Sequence, residues 1–391
     1  MEAAGLYVHI PFCNRVCPYC DFAVRTGGPR RRASYLDSLL REIDLLPGDG
    51  RVSPAMDSFD TIYLGGGTPS CLEADQLSRI LRALADKLPL SPDVWISLEA
   101  NPEDVSDHSL QRWREIGIRT VSLGIQSFDD AALEFLGRRH TSQQAIESVR
   151  RTRAAQFPIV AVDLIFGLPG QDTAAWRRQL DRVLELQPDH VSCYQLTIHE
   201  GTRFGKRRAS DQLCELPESR QAELFLLTDT LLCGAGFEHY EVSNFAARPQ
   251  ARSRHNRKYW NHTAVLGLGP AAHSFDGRSR RWWNHRHLRE YENGIASGAG
   301  PVEADERLTP SQLALESVWF GLRRTAGIDI AALRARTGID LLVHNAQILQ
   351  RFADEGLLIV TPDRIQPTRR GLALAEHLAR EIEVDAPGVL L

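Results

Sequence analysis

The chain has 391 residues, which is long enough for one large domain and a smaller one. Its 43% hydrophobic and 25% charged residues are ordinary for a soluble globular protein, and its formal net charge of -4 excludes a general attraction for nucleic acid. It has no run of eighteen apolar residues, and Met1–Ile10 lacks the basic flank and long apolar stretch of a secretory signal. We therefore expect neither a membrane span nor export, and a protein of the reducing cytoplasm.

The first half of the chain alternates short apolar runs with amphipathic stretches. The runs have the length of buried strands and the stretches have helical spacing, so the pattern predicts βαβ crossovers and a parallel sheet. Six strands are fewer than the eight that close a full barrel. We therefore expect an α/β fold, with an open, partial (β/α)6 barrel over residues 1–200. The predicted strands are Gly5–Ile10, Thr61–Leu64, Trp95–Leu98, Thr120–Gly124, Ile159–Phe166 and Val191–Leu196, and the predicted helices are Tyr35–Leu46, Ala74–Leu88, Ser106–Ile116, Ser142–Gln156 and Thr173–Leu186.

Two further regions follow the alternating half. Residues 201–304 lose the alternation and become rich in Trp, His, Arg and Asn, so we predict an irregular segment. Residues 305–391 predict a compact C-terminal helical domain with two short strands, which resembles a winged helix. Its predicted helices are Pro310–Arg324, Ile328–Thr337, Leu341–Glu355 and one from Arg369, its strands are Leu357–Thr361 and Arg364–Pro367, and a loose tail follows Glu383.

A winged-helix-like unit suggests a transcription factor as one alternative. Its third predicted helix, however, carries one arginine, Arg351, beside Asp354 and Glu355, which is a poor footprint for phosphates. We therefore expect no nucleic-acid partner. The favoured interpretation of the unit is a lid or packing domain over the barrel mouth.

Three cysteines lie close together in the loop directly after the first predicted strand. Cys13, Cys17 and Cys20 form a C-x3-C-x2-C pattern, whereas the other four of the seven cysteines are scattered. Without an export signal, such crowding favours metal binding over disulfides. Thiolates are the usual ligands of iron–sulfur clusters, and three of them leave one iron of a cubane open to a small bidentate ligand. A zinc site or incidental cysteines are the alternatives, but structural zinc normally has four protein ligands. The loop therefore predicts a [4Fe–4S] cluster.

Polar and glycine residues end the next predicted strands. Gly65–Pro69 (GGGTP) follows the second strand, where glycines let a backbone approach a ligand closely, although a plain tight turn has the same composition. Glu99, Gln126 and Asp163 each end a strand at the same mouth, where a carboxylate or amide can bind hydroxyls or an ammonium group. A helix cap or a buried hydrogen bond is the alternative for each of these residues taken singly.

The segment YVHIPFCNRVCPYCDF resembles the opening of radical S-adenosylmethionine (SAM) proteins, in which SAM chelates the open iron. Over nearly the whole chain the sequence is similar to the oxygen-independent coproporphyrinogen III oxidase family, and within it to the haem-chaperone branch. The resemblance implies SAM as a second cofactor beside the cluster. The SAM contacts that it implies are Tyr7, Tyr19, Gly67, Thr68, Glu99, Gln126, Arg138 and Asp163.

Two features separate the branches of that family. The oxidase pattern has a further cysteine two positions after the third, whereas this chain has Asp21 and Phe22 there. The sequence His255–Trp260 (HNRKYW) fits the HNxxYW motif of the haem chaperones. Histidine commonly and tyrosine occasionally ligate haem iron, while tryptophan offers an aromatic face; packing is the alternative role. The haem residues that the motif predicts are His255, Asn256, Tyr259 and Trp260.

The resemblance implies a haem chaperone that binds haem and delivers it to acceptor haemoproteins, respiratory enzymes among them. It implies at most a transient association with membranes, and it allows a homodimer. The rival hypothesis is a radical SAM oxidoreductase that acts on a porphyrinogen or another substrate, since a pure carrier has no obvious need for an intact SAM site. The sequence assigns no catalytic residue.

Overall fold

The computed structural model describes residues 2–384, so the predicted tail beyond Glu383 lies almost wholly outside the described residues. All six predicted strands are present, and each pairs in parallel with the next along the chain, which confirms the α/β barrel. Burial is most nearly continuous in the first and fifth of these strands, because helices cover the outer face of the sheet. The strands are β1 (Ala4–Ile10), β2 (Phe59–Gly66), β3 (Leu90–Ala100), β4 (Ile118–Gln126), β5 (Ile159–Phe166) and β6 (His190–Gln195).

Helices connect these strands and pack their apolar faces against the outside of the sheet. Three of them begin at Ser106, Thr141 and Asp172, whose side chains accept a hydrogen bond from the backbone N–H three residues later. One short helix after β4 was not predicted, since six residues are too few to show a helical period. The helices are α1 (Pro29–Leu45), α2 (Ala74–Lys87), α3 (Asp107–Glu115), α4 (Asp130–Phe135), α5 (Ser142–Ala154) and α6 (Thr173–Leu186).

The segment 201–304, predicted as irregular, contributes six further strands to the same sheet. Val265–Leu268 pairs in parallel with β1, and three antiparallel strands continue outward from it. A hairpin adds two strands beside β6. The result is an open twelve-stranded sheet. The added strands are Glu238–Glu241, Asn244–Ala246, Val265–Leu268, His273–Phe275, Arg280–Asn284 and Val302–Arg307, and the helices of this segment are Arg203–Ala209, Glu218–Gly234, Asn256–Trp260 and Leu288–Ser297.

The C-terminal unit has its own apolar core and a small three-stranded sheet. The helix predicted to run from Leu341 to Glu355 is divided at Asn345, whose buried side chain donates to the carbonyls of Leu341 and Glu383. The helices of the unit are Pro310–Leu322, Ile330–Thr337, Leu341–His344, Ala346–Asp354, Arg369–Ala373 and Ala375–Glu381, and its strands are Ile328–Asp329, Leu358–Val360 and Arg364–Pro367.

This unit docks at the opposite end of the barrel from the one predicted. Arg324 donates to Asn261 Oδ1 at 2.6 Å, and Glu316 Oε2 lies 3.2 Å from His262 Nε2. Asn261 and His262 directly precede the strand that runs parallel to β1, so they mark the N-terminal end of the barrel. The interpretation as a lid over the mouth is therefore wrong. None of the helices within residues 2–384 combines the length and apolar character needed to cross a bilayer.

Candidate functional site

The C-terminal ends of the six barrel strands surround a cavity of about 410 Å³. The three cysteines of the loop line it, and so do seven of the eight side chains and glycines predicted to contact SAM. The exception is Tyr7, which lies below the cavity with its hydroxyl 3.1 Å from His9 Nδ1. The predicted residues that do line the cavity are Cys13, Cys17, Cys20, Tyr19, Gly67, Thr68, Glu99, Gln126, Arg138 and Asp163.

The cysteine loop has the donors that an iron–sulfur cluster needs. Burial raises the pKa of the Cys13 thiol, and it raises that of Cys20 to about 11, so both are neutral without a cation beside them. Arg138 Nη1 lies 3.6 Å from Cys17 Sγ, and Thr68 Oγ1 lies 3.5 Å from Cys13 Sγ. Iron would supply the positive charge that stabilises buried thiolates. The donor set therefore fits the cluster.

The same loop fits a single metal ion less well. Among residues 2–384, no three His, Cys, Asp or Glu side chains converge on a point where they could hold one ion. A zinc ion requires such convergence, whereas the ligands of a cubane bind separate irons.

The glycine turn supports the cysteine loop from below. The N–H groups of Gly67 and Thr68 donate to the carbonyls of Ile10 and Phe12, each at 2.8 Å. A Cβ on Gly67 would lie 2.6 Å from the Phe12 carbonyl oxygen, so a side chain would push the two loops apart. Glycine is required at this position because two backbones meet there, and not only because a ligand approaches, as the sequence suggested.

Two half-buried carboxylates face the cavity, and neither forms an ion pair with a residue that the structure describes. Glu99 accepts hydrogen bonds from the Tyr63 hydroxyl at 2.8 Å and from the Gly66 N–H at 3.1 Å. Asp163 accepts one from the Ser122 hydroxyl at 3.0 Å. Burial raises the pKa of both groups, that of Glu99 to about 7, with the charge of Asp163 adding to the shift. A cationic ligand in the cavity would compensate both charges.

One wall of the cavity contains a polar residue, Asn101, that the sequence did not single out. Arg138 donates to Asn101 Oδ1 at 2.5 Å and to the Gly124 carbonyl at 2.8 Å, while Asn101 donates to Thr68 Oγ1 at 3.1 Å. Gln126 ends β4 with a positive φ of 66°, an unfavourable conformation for a side chain other than glycine and one common at ligand sites. Asn101 lies two residues after Glu99, so the period of a strand could have identified it.

The histidine of the HNxxYW motif lies inside the opposite end of the barrel. Its side chain is only 3% exposed. Nδ1 lies 3.0 Å from Thr61 Oγ1, and Nε2 lies 3.0 Å from the Tyr259 hydroxyl. Both ring nitrogens are therefore engaged, and in this arrangement His255 offers none to haem iron.

The other predicted haem residues share the short helix that follows His255. The rings of Trp260 and Tyr240 are 6.0 Å apart, and the Asn256 N–H donates to Ser253 Oγ at 3.2 Å. Tyr259 is 36% exposed although its hydroxyl contacts the buried histidine. The structure thus brings the four residues of the motif together, at the end of the barrel remote from the cysteine loop.

Comparisons with known proteins agree with this architecture. The model of the Radical SAM superfamily matches residues 7–181, and that of the HemN C-terminal domain matches residues 308–374. A protein of Lactococcus lactis named "Heme chaperone HemW" is 32% identical over 97% of each chain. One of the same name from Mycobacterium tuberculosis is 33% identical over 97% of this chain and 94% of its own. A solved structure is that of HemN from Escherichia coli, a coproporphyrinogen III oxidase described as a radical SAM enzyme. It has a TM-score of 0.81 at 23% identity and covers 97% of this chain and 89% of its own. The two proteins share the fold. The chain therefore belongs to the HemW family of radical SAM proteins.

Proposed function

We propose that this protein is a haem chaperone, which binds haem and passes it to acceptor haemoproteins in the cytoplasm or, transiently, at a membrane. A [4Fe–4S] cluster and SAM occupy the cavity at the barrel mouth, and coproporphyrinogen is not decarboxylated. The observation that carries the proposal is that three thiols and two carboxylates line one cavity, in a chain that aligns over 97% of its length with a relative named as a heme chaperone.

Cluster and SAM have distinct partners in this cavity. Cys13, Cys17 and Cys20 would hold the cluster, and with three thiolates it would keep one coordination position open for SAM. The cluster supplies an electron and an open coordination site when it is bound. The protein's own contribution would be to orient SAM: Glu99 and Asp163 would compensate its positive charge, and Gln126 and Arg138 would fix its polar groups along the wall.

The position after the cysteines favours the chaperone over the oxidase. Phe22 is 65% exposed at the rim of the cavity, where the oxidase pattern would have a thiol. A phenyl ring neither binds iron nor exchanges a proton, so this chain lacks that group of the oxidase. The intact set of SAM residues is the observation that supports the rival function, a radical SAM oxidoreductase acting on another substrate.

We expect the anaerobically reconstituted protein to give a Soret band on addition of haem and no protoporphyrinogen IX from coproporphyrinogen III. Both assays should use the same preparation, with SAM and a reductant present in the second. Phe22→Cys is the matched variant, because it places a thiol at the position of the further oxidase cysteine and leaves the three cluster cysteines unchanged. If the unaltered chain converts coproporphyrinogen and consumes SAM, the chaperone proposal is wrong and the protein is a radical SAM oxidoreductase.

The same preparation tests the haem residues that the motif predicts. A Soret band that shifts or weakens in both His255→Ala and Tyr259→Ala would assign haem to the motif. Haem binding there would require that the contacts that bury His255 open. A band unchanged in both variants would place the haem elsewhere on the protein.

SAM affinity should depend on pH through Glu99. Because the pKa of this carboxyl is raised to about 7, it is mostly protonated below that pH in the ligand-free protein. A cationic ligand favours the ionised form, so affinity should fall by about tenfold for each pH unit below 7 and level off above it. Equilibrium dialysis between about pH 5.5 and 7.5 measures the profile. Glu99→Gln should bind SAM more weakly, and its affinity should change less with pH. A SAM affinity that does not change with pH in the unaltered protein would contradict the assignment of Glu99 as a SAM contact.

A further inference from the structure

The HNxxYW segment closes the barrel at its N-terminal end. The buried Lys258 side chain ties it there, with Nζ 2.7 Å from Asp60 Oδ1 and 2.5 Å from the Ala3 carbonyl. Gly5 makes room for it, since a Cβ there would lie 2.8 Å from Lys258 Cδ and 3.1 Å from the ring of His255. The segment is therefore fitted against β1 and β2 from inside, and we refer to His255–Trp260 as the barrel floor.

One side chain of the barrel floor reaches toward the cavity. The His255 ring is stacked on the Tyr63 ring, with centroids 5.3 Å apart and planes at 24°. Its nitrogens are fixed by the hydroxyls of Thr61 and Tyr259. Burial lowers the pKa of His255 to about 3, with Lys258 adding to the shift, so the ring stays neutral and keeps these contacts at physiological pH. The ring has one well-defined position.

Tyr63 connects the barrel floor to the cavity. Its ring rests on His255, and its hydroxyl donates to Glu99 Oε1 at 2.8 Å. Glu99 has one other hydrogen-bond partner, the Gly66 N–H, so Tyr63 fixes one of its two oxygens. Tyr63 also stacks on Tyr7, with centroids 6.3 Å apart, so loss of the His255 contact would leave the Tyr63 ring with one stacking partner and loosen the direction of the carboxylate.

We propose that His255 is a positioning residue for SAM: by stacking on Tyr63 it holds the hydroxyl that orients the Glu99 carboxylate in the cavity. This role rests on the proposed function, in which Glu99 contacts SAM. It gives the HNxxYW motif a task at the cofactor site, through contacts within the barrel, and it requires no bond between His255 and haem iron.

A double-mutant cycle on the reconstituted full chain tests this role. His255→Ala should weaken SAM binding by about three- to tenfold, the value of one well-placed hydrogen bond. Thr61→Val, which removes the Nδ1 partner and keeps the fold, should weaken it in the same direction by a smaller factor. In a Glu99→Gln background, His255→Ala should have no further effect, because the group it positions has lost its charge. SAM affinity is read by equilibrium dialysis, with the EPR change that SAM causes in the reduced cluster as the spectroscopic readout.

His262→Ala is the matched control, since this buried histidine contacts Glu316 and the rings of Phe275 and Phe320 rather than Tyr63. It should leave SAM affinity unchanged. Equal losses for His255→Ala in both backgrounds would mean that the barrel floor is only structural, and unchanged affinity in His255→Ala and Thr61→Val would overturn the role outright. If the unaltered protein holds its cluster but binds no SAM, the proposed function itself fails and this inference fails with it.

Discussion

Replacing Cys13, Cys17 and Cys20 together by serine is expected to remove the iron–sulfur cluster completely. The three thiols line one cavity at the end of β1, and none of the other four cysteines lines it. Serine keeps the size of each side chain but is a poor ligand for iron in a cluster, which thiolates hold. Anaerobic reconstitution should give about four irons and four sulfides per chain in the unaltered protein and about none in the triple variant.

Two single variants provide the control for this experiment. Cys71 is buried with its thiol 3.8 Å from the Phe12 carbonyl, and Cys233 contacts Asp229, so neither lines the cavity. Cys71→Ser and Cys233→Ser should therefore keep the full iron content and the EPR signal that SAM perturbs. A complete cluster in the triple variant would mean that the ligands have been assigned to the wrong cysteines.

The central strands could be predicted because each is long, apolar and bounded by turn residues. The added strands of the open sheet could not. Val265–Leu268 has four residues, and the hairpin strand Glu238–Glu241 has charged residues at both ends. Such segments are extended because a neighbouring strand already offers its N–H and C=O groups, and that neighbour is distant in sequence. The docking of the C-terminal unit was mispredicted for the same reason, since its contacts with Asn261 and His262 have no local pattern.

The positions of candidate site residues could be predicted where the residues follow from the pattern of parallel strands. Glu99 and Gln126 lie at the C-terminal ends of neighbouring parallel strands, and Asp163 lies in the C-terminal half of the next strand, so the three had to meet near one edge of the sheet. The position of Tyr7 and of His255 was not predictable. A sequence motif identifies which side chains are present. It does not show whether the histidine ring contacts a ligand or the hydroxyl groups of neighbouring residues in the barrel. Only the contacts of Thr61 and Tyr259 reveal that.

The double variant Glu99→Gln with Asp163→Asn is expected to lose SAM binding by about a hundredfold or more. Each carboxylate offers a charged acceptor to the polar groups of a ligand that also carries a sulfonium charge, and hydrogen bonds to charged groups contribute about 1.5–3 kcal/mol each. The amides keep the shapes of the side chains, and the glutamine that replaces Glu99 could still accept from Tyr63 at its carbonyl oxygen. The iron content should therefore stay unchanged while SAM no longer alters the EPR signal of the reduced cluster.

Asp104→Asn is the matched control for this loss of charge. Burial raises the pKa of Asp104 as it does those of the two carboxylates, but its hydrogen bond is to Ser70 at 2.6 Å and it does not line the cavity. This variant should bind SAM like the unaltered protein. Each single variant at the site should lose about tenfold, because one carboxylate still faces the cation. SAM affinity that survives in the double variant would mean that the positive charge of SAM lies away from both carboxylates, and that these two carboxylates are structural.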